Sequence, residues 1–325
     1  MGIEVSDYRA PLWIPGGHLQ TVLPALCFAR PRVTYRREIW NTPDGDVIAV
    51  DFSEPAPLSA DAPVLVHFHG LEGSSHSHYA EALMSECASQ GVRGMVVHYR
   101  GCGGIENRLP RAYFAGDACE LDWIFKRVRS LWPAARIGAM GVSLGANNIL
   151  YWAGTRAEDA AKLIDCAVAV CSPLDLVGSN DCICRGFSRV YERNFMQTLQ
   201  AKARRIEERF PGLINPQKLV TIQSLKDFDE AVTAPLHGFK NALDYWTCCS
   251  SIRVLGGIRL PTLMINACND PFVRPSFLPS AGDLSASVRA EFPSEGSHCG
   301  FPLGNFPGSL GYLPMRTLRF LLHGQ

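Results

Sequence analysis

The chain has 325 residues, in which 31 lysines and arginines balance 31 aspartates and glutamates, and 47% of the residues are hydrophobic. With zero net charge, nothing in the charge balance points to binding of nucleic acid or of an anionic membrane surface. No apolar run reaches the roughly 18 residues of a membrane span, and residues 1–9 are too polar for a secretory leader. The composition predicts a cytoplasmic protein with one large core and an insertion.

Twelve cysteines are spread along the chain, and none of them form a Cys-x-x-Cys pair. This distribution is typical of free thiols in a reducing compartment and not of a disulfide framework. Two close pairs, Cys182 with Cys184 and Cys248 with Cys249, are too tightly spaced for a zinc site. We therefore interpret all twelve cysteines, including Cys299, as small hydrophobic residues without a chemical role.

Segments with strand and helix patterns alternate along most of the chain. Apolar runs bounded by turn residues predict strands over residues 33–39, 47–52, 63–68 and 95–98, followed by a helix over residues 118–131. Further strands are predicted over residues 136–140, 163–171, 261–267 and 287–292. Strands that alternate with helices form a mostly parallel central sheet flanked by helices, which places the chain in the α/β class.

The strand pattern stops between residues 174 and 256, which we call the lid segment. Helical periodicity takes over there, chiefly in residues 187–210 and 224–246. We expect the lid segment to be inserted into a core formed by residues 1–173 and 257–325. A helical lid over the carboxyl ends of the strands would supply a pocket wall, for which we predict Phe239, Tyr245 and Trp246.

The pentapeptide Gly141-Val142-Ser143-Leu144-Gly145 follows a predicted strand and precedes a helical pattern. This G-x-S-x-G context is typical of a nucleophile elbow, a turn from strand to helix so tight that only very small residues fit on either side of the serine. The pattern predicts Ser143 as a catalytic nucleophile.

An elbow serine needs an acid and a base, which follow it in the order Asp or Glu, then His. Asp270 lies in a turn directly after the strand predicted over residues 261–267, and His298 lies in a glycine-flanked loop after the last strand. We predict Asp270 as the acid and His298 as the base. Asp175 follows the strand after the elbow and remains an alternative acid.

A nucleophile elbow also needs two backbone amides that bind the oxyanion formed during acyl transfer. The glycine-rich stretch after the strand at residues 63–68 supplies one candidate, so we assign the donors to the amides of Leu71 and Leu144. Four histidines near this stretch leave zinc binding open as a competing interpretation: His67, His69, His76 and His78. We expect His67 in the core and His76 and His78 at the start of a helix.

Five basic residues outside the predicted triad need an interpretation. Arg100 is predicted to form a buried ion pair near the site. The other four alternate with Glu207 and Glu208, which favours a solvated helix face over contact with lipid: Lys202, Arg204, Arg205 and Arg209.

These motifs together resemble the YheT-type hydrolases, AB hydrolase family 4 of the alpha/beta hydrolase fold. The resemblance covers nearly the whole chain and is carried by the stretches at residues 11–21, 42–46, 69–73, 100–104, 227–229, 233–239 and 269–272. It implies an α/β-hydrolase fold with a charge relay of Ser143, Asp270 and His298, and esterase activity on short-chain esters, with lipases among the relatives. Asn269 and Trp246 depart from the residues usual in that family.

We therefore expect a serine carboxylesterase that hydrolyses short-chain carboxylic esters, with monoacylglycerol-like lipids as further candidates. Its partner would be a small-molecule ester, and we expect no metal, no organic cofactor, no nucleic acid and no integral membrane segment. Three other functions stay open: an acyltransferase, a metal-dependent hydrolase, and a catalytically silent hydrolase fold that binds a ligand.

Overall fold

The computed structural model describes residues 2–53 and 57–324. In these residues the strands are β1 (Ile3–Glu4), β2 (Arg36–Asn41), β3 (Val47–Ser53), β4 (Val64–Phe68), β5 (Arg93–Val97), β6 (Ile137–Val142), β7 (Cys166–Val170), β8 (Thr262–Ile265) and β9 (Val288–Glu291). They form one sheet in the order β1-β9-β8-β7-β6-β4-β5-β3-β2. β3 pairs antiparallel with β2 and β5, and the other neighbours are parallel.

The helices of the same residues cover both faces of the sheet. They are α1 (Gly17–Leu26), α2 (His78–Ser89), α3 (Ala118–Leu131), α4 (Leu144–Arg156), α5 (Glu158–Leu163), α6 (Leu176–Ile183), α7 (Arg189–Arg209), α8 (Pro216–Thr221), α9 (Leu225–Phe228), α10 (Ala234–His237), α11 (Ala242–Cys249) and α12 (Tyr312–His323). In the described part of the chain, every helix is too short or too polar to cross a membrane.

Two apolar cores lie on opposite faces of the sheet, because successive side chains of a strand point to opposite sides. Val66 of β4 packs in one core with Phe125 of α3 and Trp152 of α4. Leu65, the residue before Val66 in β4, packs in the other core with Leu321 of α12. Strands buried on both faces read as continuous apolar runs, which is why the central strands were recognisable in the sequence.

The structure confirms the predicted helix at residues 118–131 and corrects several other bounds. The strand predicted over residues 33–39 lies at Arg36–Asn41, and the two-residue strand β1 was not predicted. The helical stretch predicted over residues 224–246 is divided into α9, a π-helical turn, α10 and α11. Gly238 ends α10 in the left-handed conformation, with φ of 77°, and Asn241 caps α11, so one helix could not continue.

The parallel strands bring their carboxyl ends to one edge of the sheet. β4, β6, β8 and β9 lead there into the segments that contain Leu71, Ser143, Asp270 and His298. Between β7 and β8 the described chain is helical and contains no strand. Its helices contribute residues to the same cavity as Ser143 and His298, which places part of the lid segment against this edge.

Candidate active site

Ser143 lies in the turn between β6 and α4 with φ of 54° and ψ of −119°, a backbone conformation that L-residues rarely adopt. Such strain costs on the order of 1–3 kcal/mol and persists only where the surroundings fix it. A Cβ atom on Gly141 would lie 2.3 Å from the Gly145 carbonyl oxygen, and one on Gly145 would lie 2.3 Å from the Phe68 carbonyl oxygen. The two glycines are therefore required by the close approach of neighbouring backbone.

Asp270 and His298 are in direct contact. Asp270 Oδ2 lies 2.8 Å from His298 Nδ1, and the side chains are 0% and 9% exposed. The amide of Phe272 donates to the other carboxylate oxygen, Oδ1, at 2.8 Å. With Asp270 ionised, Nδ1 is the donor of this contact, so a neutral ring keeps Nε2 free to accept a proton.

The charge on Asp270 also changes the proton affinity of the ring. Burial alone disfavours the imidazolium, but the carboxylate at Nδ1 and, after it, the neighbouring Cys299 thiol outweigh burial and raise the pKa of His298 above its ordinary value. An imidazolium formed during catalysis would therefore be stabilised at this position.

Asp175, the alternative acid, lies elsewhere. Its carboxylate accepts the backbone amide of Val177 at 3.1 Å and caps the N-terminus of α6. A side chain in this position stabilises the helix end. The contact with the imidazole of His298 is made by Asp270.

A residue of the N-terminal segment joins the loops that carry the acid and the base. Gln20 of α1 is fully buried, and its Oε1 accepts from the Gly296 amide at 3.1 Å and from Asn269 Nδ2 at 2.9 Å. Asn269 Oδ1 in turn accepts from the Ser297 amide at 2.8 Å. No local pattern in the segment at residues 11–21 singled out Gln20. Asn269, which departs from the residue usual in the family, therefore connects the loop that carries Asp270 to the loop that carries His298.

The peptide between Gly70 and Leu71 is held by its carbonyl. The oxygen of Gly70 accepts from the Gly73 amide at 3.0 Å and lies 2.7 Å from His69 Nδ1. Within the described residues, the Leu71 and Leu144 amides have no hydrogen-bond acceptor, and both residues line the same cavity as Ser143. Unpartnered amides beside a cavity are available to a ligand oxygen.

The four neighbouring histidines have separate environments. His67 is buried inside β4, His78 begins α2 as expected, and His76 lies just before that helix. His69 Nε2 accepts the Tyr99 amide at 3.3 Å.

Two cysteines lie beside the predicted base. In the described residues, Cys171, His298 and Cys299 place one possible metal-ligand atom each within 4.8 Å of the others. The amide of Cys299 donates to Cys171 Sγ at 3.2 Å. Burial raises the pKa of the Cys171 thiol, whereas contacts with Cys171 and His298 outweigh burial at Cys299 and lower the pKa of its thiol to about 6.

The site opens into a cavity of about 190 Å³. Its wall is largely apolar and includes Tyr245 and Trp246, two of the three aromatic residues predicted to line it. The third, Phe239, instead packs against Phe114 and Tyr245, with ring centroids 6.0 and 5.2 Å away. Trp246 donates from Nε1 to Asp229 at 2.8 Å, and burial raises the pKa of that carboxyl to about 6.

The basic residues only partly follow the prediction. Arg100 is buried and pairs with Glu120 at 2.5 Å and Asp46 at 2.9 Å, as expected of a structural ion pair. Arg204 is exposed on α7. Lys202 does not lie on a solvated face, however, because its side chain is 20% exposed and pairs with Glu72 at 2.6 Å.

The family profile described as alpha/beta hydrolase fold matches residues 63–304. A relative from Escherichia coli (strain K12), named "Putative esterase YheT", is 35% identical over 87% of this chain and 84% of its own length. Another, "Phospholipase ABHD3" of Mus musculus, is 27% identical over 96% of this chain and 77% of its own length.

Among solved structures, the alpha/beta hydrolase GrgF from Penicillium sp. sh18 superposes with a TM-score of 0.58 at 15% identity, covering 89% of this chain and 98% of that one. This likeness concerns the fold alone. The family itself is shown by the profile match over most of the chain and by the 35% identity to the Escherichia coli relative. The chain therefore belongs to the α/β-hydrolase fold family and, within it, to the YheT-type hydrolases that its motifs resemble.

Proposed function

We propose that this chain is a serine carboxylesterase that cleaves short-chain carboxylic esters through an acyl-enzyme on Ser143. The observation that carries the proposal is the shared cavity: a serine on a strained strand-to-helix turn and a histidine held by a buried aspartate both line it. Two relatives are named as an esterase and a phospholipase, which supports ester hydrolysis as the class of reaction.

In the proposed acylation step, His298 Nε2 accepts the Ser143 hydroxyl proton while Oγ attacks the ester carbonyl carbon. The carbonyl oxygen takes up the electron pair and becomes an oxyanion. When that intermediate collapses, the bond to the alcohol breaks, and the leaving oxygen receives the proton from His298.

Deacylation repeats these steps with water as the nucleophile. Water gives a proton to His298 as it attacks the acyl carbon, and collapse releases the carboxylic acid and returns the proton to Ser143 Oγ. Asp270 keeps Nδ1 protonated and stabilises the imidazolium in both halves. In neither half does this route require a metal or an organic cofactor.

The amides of Leu71 and Leu144 are the proposed oxyanion donors. Each is unpartnered in the described residues and lines the cavity beside the nucleophile. Donors held ready before the charge develops lose no energy to reorganisation, and removing one such donor in other enzymes costs about 10²- to 10³-fold in rate.

The proposed substrate is a small ester that reaches the cavity from water. A volume of about 190 Å³ and a mostly apolar wall fit a short acyl chain with few polar groups. Monoacylglycerol-like lipids are a second candidate class of substrate. The apolar wall of the cavity favours them, and so does a relative that is named as a phospholipase. We place the protein in the cytoplasm, since all twelve cysteines are free thiols.

The nucleophile is tested by labelling with a fluorophosphonate, which forms a covalent bond to an activated serine. Ser143→Ala is expected to abolish labelling and to lower ester turnover by several orders of magnitude while the melting temperature stays close to that of the parent. Ser179→Ala is the matched control, because Ser179 lines the same cavity away from the elbow and its loss should leave labelling intact. Retained labelling in Ser143→Ala would remove Ser143 as the nucleophile.

A further inference from the structure

The turn that carries the Leu71 amide has an unusual residue at its third position. The Gly73 amide donates to the Gly70 carbonyl at 3.0 Å, which makes residues 70–73 a β-turn. Glu72 has φ of 57°, whereas Leu71 is not among the residues with positive φ. This combination is that of a type II turn, whose third position normally holds glycine or asparagine. A glutamate here needs support from its surroundings.

Two contacts to Tyr113 provide part of that support. The Glu72 amide donates to the Tyr113 hydroxyl oxygen at 3.0 Å, and the Tyr113 hydroxyl donates to Glu72 Oε1 at 2.6 Å. Rotation of the Leu71–Glu72 peptide to the more common type I turn would turn the Glu72 amide away from Tyr113. The hydroxyl of Tyr113 thus opposes rotation of the peptide that follows Leu71. The Leu71 amide belongs to the preceding peptide, which the turn holds through the hydrogen bond from the Gly73 amide to the Gly70 carbonyl.

The remaining support comes from the lid segment. Lys202 of α7 donates from Nζ to the same Oε1 of Glu72 at 2.6 Å and lies 5.4 Å from the centre of the Tyr113 ring. The Glu72 side chain is only 7% exposed, so its charge has little water to stabilise it. Since a buried charge depends on its partner, Lys202 stabilises Glu72 in this position together with Tyr113.

We propose that Lys202 and Glu72 are positioning residues of the reaction, which hold the Leu71 amide in the orientation that binds the oxyanion. The inference rests on the proposed function. It assigns the lid segment a role in the chemical step besides forming a pocket wall, because α7 reaches across to the turn beside the nucleophile.

The test compares Lys202→Met, Lys202→Arg and Glu72→Gln with the parent. Lys202→Met keeps the length of the side chain and removes its charge, and we expect it to lower kcat/KM for p-nitrophenyl butyrate by about 10- to 100-fold, less than the loss of a whole oxyanion donor. Lys202→Arg restores a cation and is expected to recover most of that loss. Arg204→Met is the matched control, since Arg204 lies on the same helix, is exposed and does not line the cavity.

A second measurement separates positioning from a general loss of structure. Butylboronic acid forms a tetrahedral adduct with an activated serine and places an oxygen in the oxyanion position. Its Kd should rise in Lys202→Met and Glu72→Gln by about the factor by which kcat/KM falls, while the fraction of folded protein is unchanged. The double variant should lose less than the product of the single losses, because the two residues act as one pair.

The outcomes separate the two proposals. A parent that turns over the ester at Ser143, with Lys202→Met and Glu72→Gln unchanged in kcat/KM and in boronate Kd, would overturn the positioning role alone. Loss of kcat/KM with boronate affinity unchanged would also overturn it. A parent whose Ser143 is inert to fluorophosphonate and to esters would overturn the proposed function and this inference together.

Discussion

Replacing Asp270 by asparagine tests the proposed role of Asp270 as the acid that orients His298. Asp270 Oδ1 accepts the Phe272 amide and Oδ2 contacts His298 Nδ1. The asparagine must direct its carbonyl oxygen to the Phe272 amide, so its NH₂ group faces Nδ1. Nδ1 then becomes an acceptor, and the ring proton moves to Nε2, where it blocks abstraction of the Ser143 proton.

The expected size of the effect follows from this tautomer change. The corresponding substitution in a serine protease lowers kcat about 10⁴-fold, which corresponds to about 5 kcal/mol of transition-state stabilisation. We expect a similar loss in kcat/KM for p-nitrophenyl butyrate, because the Asp270 side chain is fully buried and water cannot replace it.

The pH profile gives an independent readout. The proposed mechanism requires neutral His298, so kcat/KM of the parent should rise with pH through the pKa of that residue. Burial lowers this pKa, whereas Asp270 and, after it, Cys299 raise it. Without the carboxylate, burial dominates, and the acidic limb of the remaining activity should move to lower pH.

Asp175→Asn is the matched control, because asparagine caps a helix as well as aspartate does. We expect activity, stability and pH profile close to those of the parent. A larger loss of kcat in Asp175→Asn than in Asp270→Asn would refute the reasoning and move the acid to Asp175. An acidic limb that moves to higher pH in Asp270→Asn would refute the electrostatic account.

Two further substitutions test the elbow and the pocket. Gly145→Ala brings a Cβ to 2.3 Å from the Phe68 carbonyl oxygen. We expect the free energy of unfolding, measured by urea titration, to fall by at least about 2 kcal/mol. A variant as stable as the parent would contradict this account of the packing. Trp246→Ala enlarges the cavity and should shift kcat/KM toward longer acyl chains in a series from acetate to palmitate, by about fourfold for each CH₂ newly buried. Leu243→Ala, on the exposed face of the same helix, should keep the parent profile, and an unchanged profile in Trp246→Ala would exclude that residue from the acyl wall.

The parts of the site that the sequence predicted have local signatures. The elbow needs two glycines within five residues, and the structure shows the backbone contacts that require them. The positions of Asp270 and His298 followed from chain order and from the strands before them, and the structure brings these side chains to 2.8 Å. The predicted bounds of helices and strands were wrong where the sequence pattern was weak. β1 has only two residues, too few to show an alternation of apolar and polar residues. Gly238 divides a stretch whose apolar spacing is helical on both sides.

The parts that the sequence did not predict depend on residues distant along the chain. Lys202 was interpreted from its neighbours on one helix, where alternating charges favour solvent exposure. Its actual partner is 130 positions away, on a turn whose positive φ has no sequence signal because the residue there is glutamate. Helical periodicity shows which face of α7 is apolar but not that a cation on that helix meets a buried carboxylate. The contact between the lid segment and the turn at residues 70–73 is therefore a tertiary property, and it is specified only once α7 is packed against the carboxyl edge of the sheet.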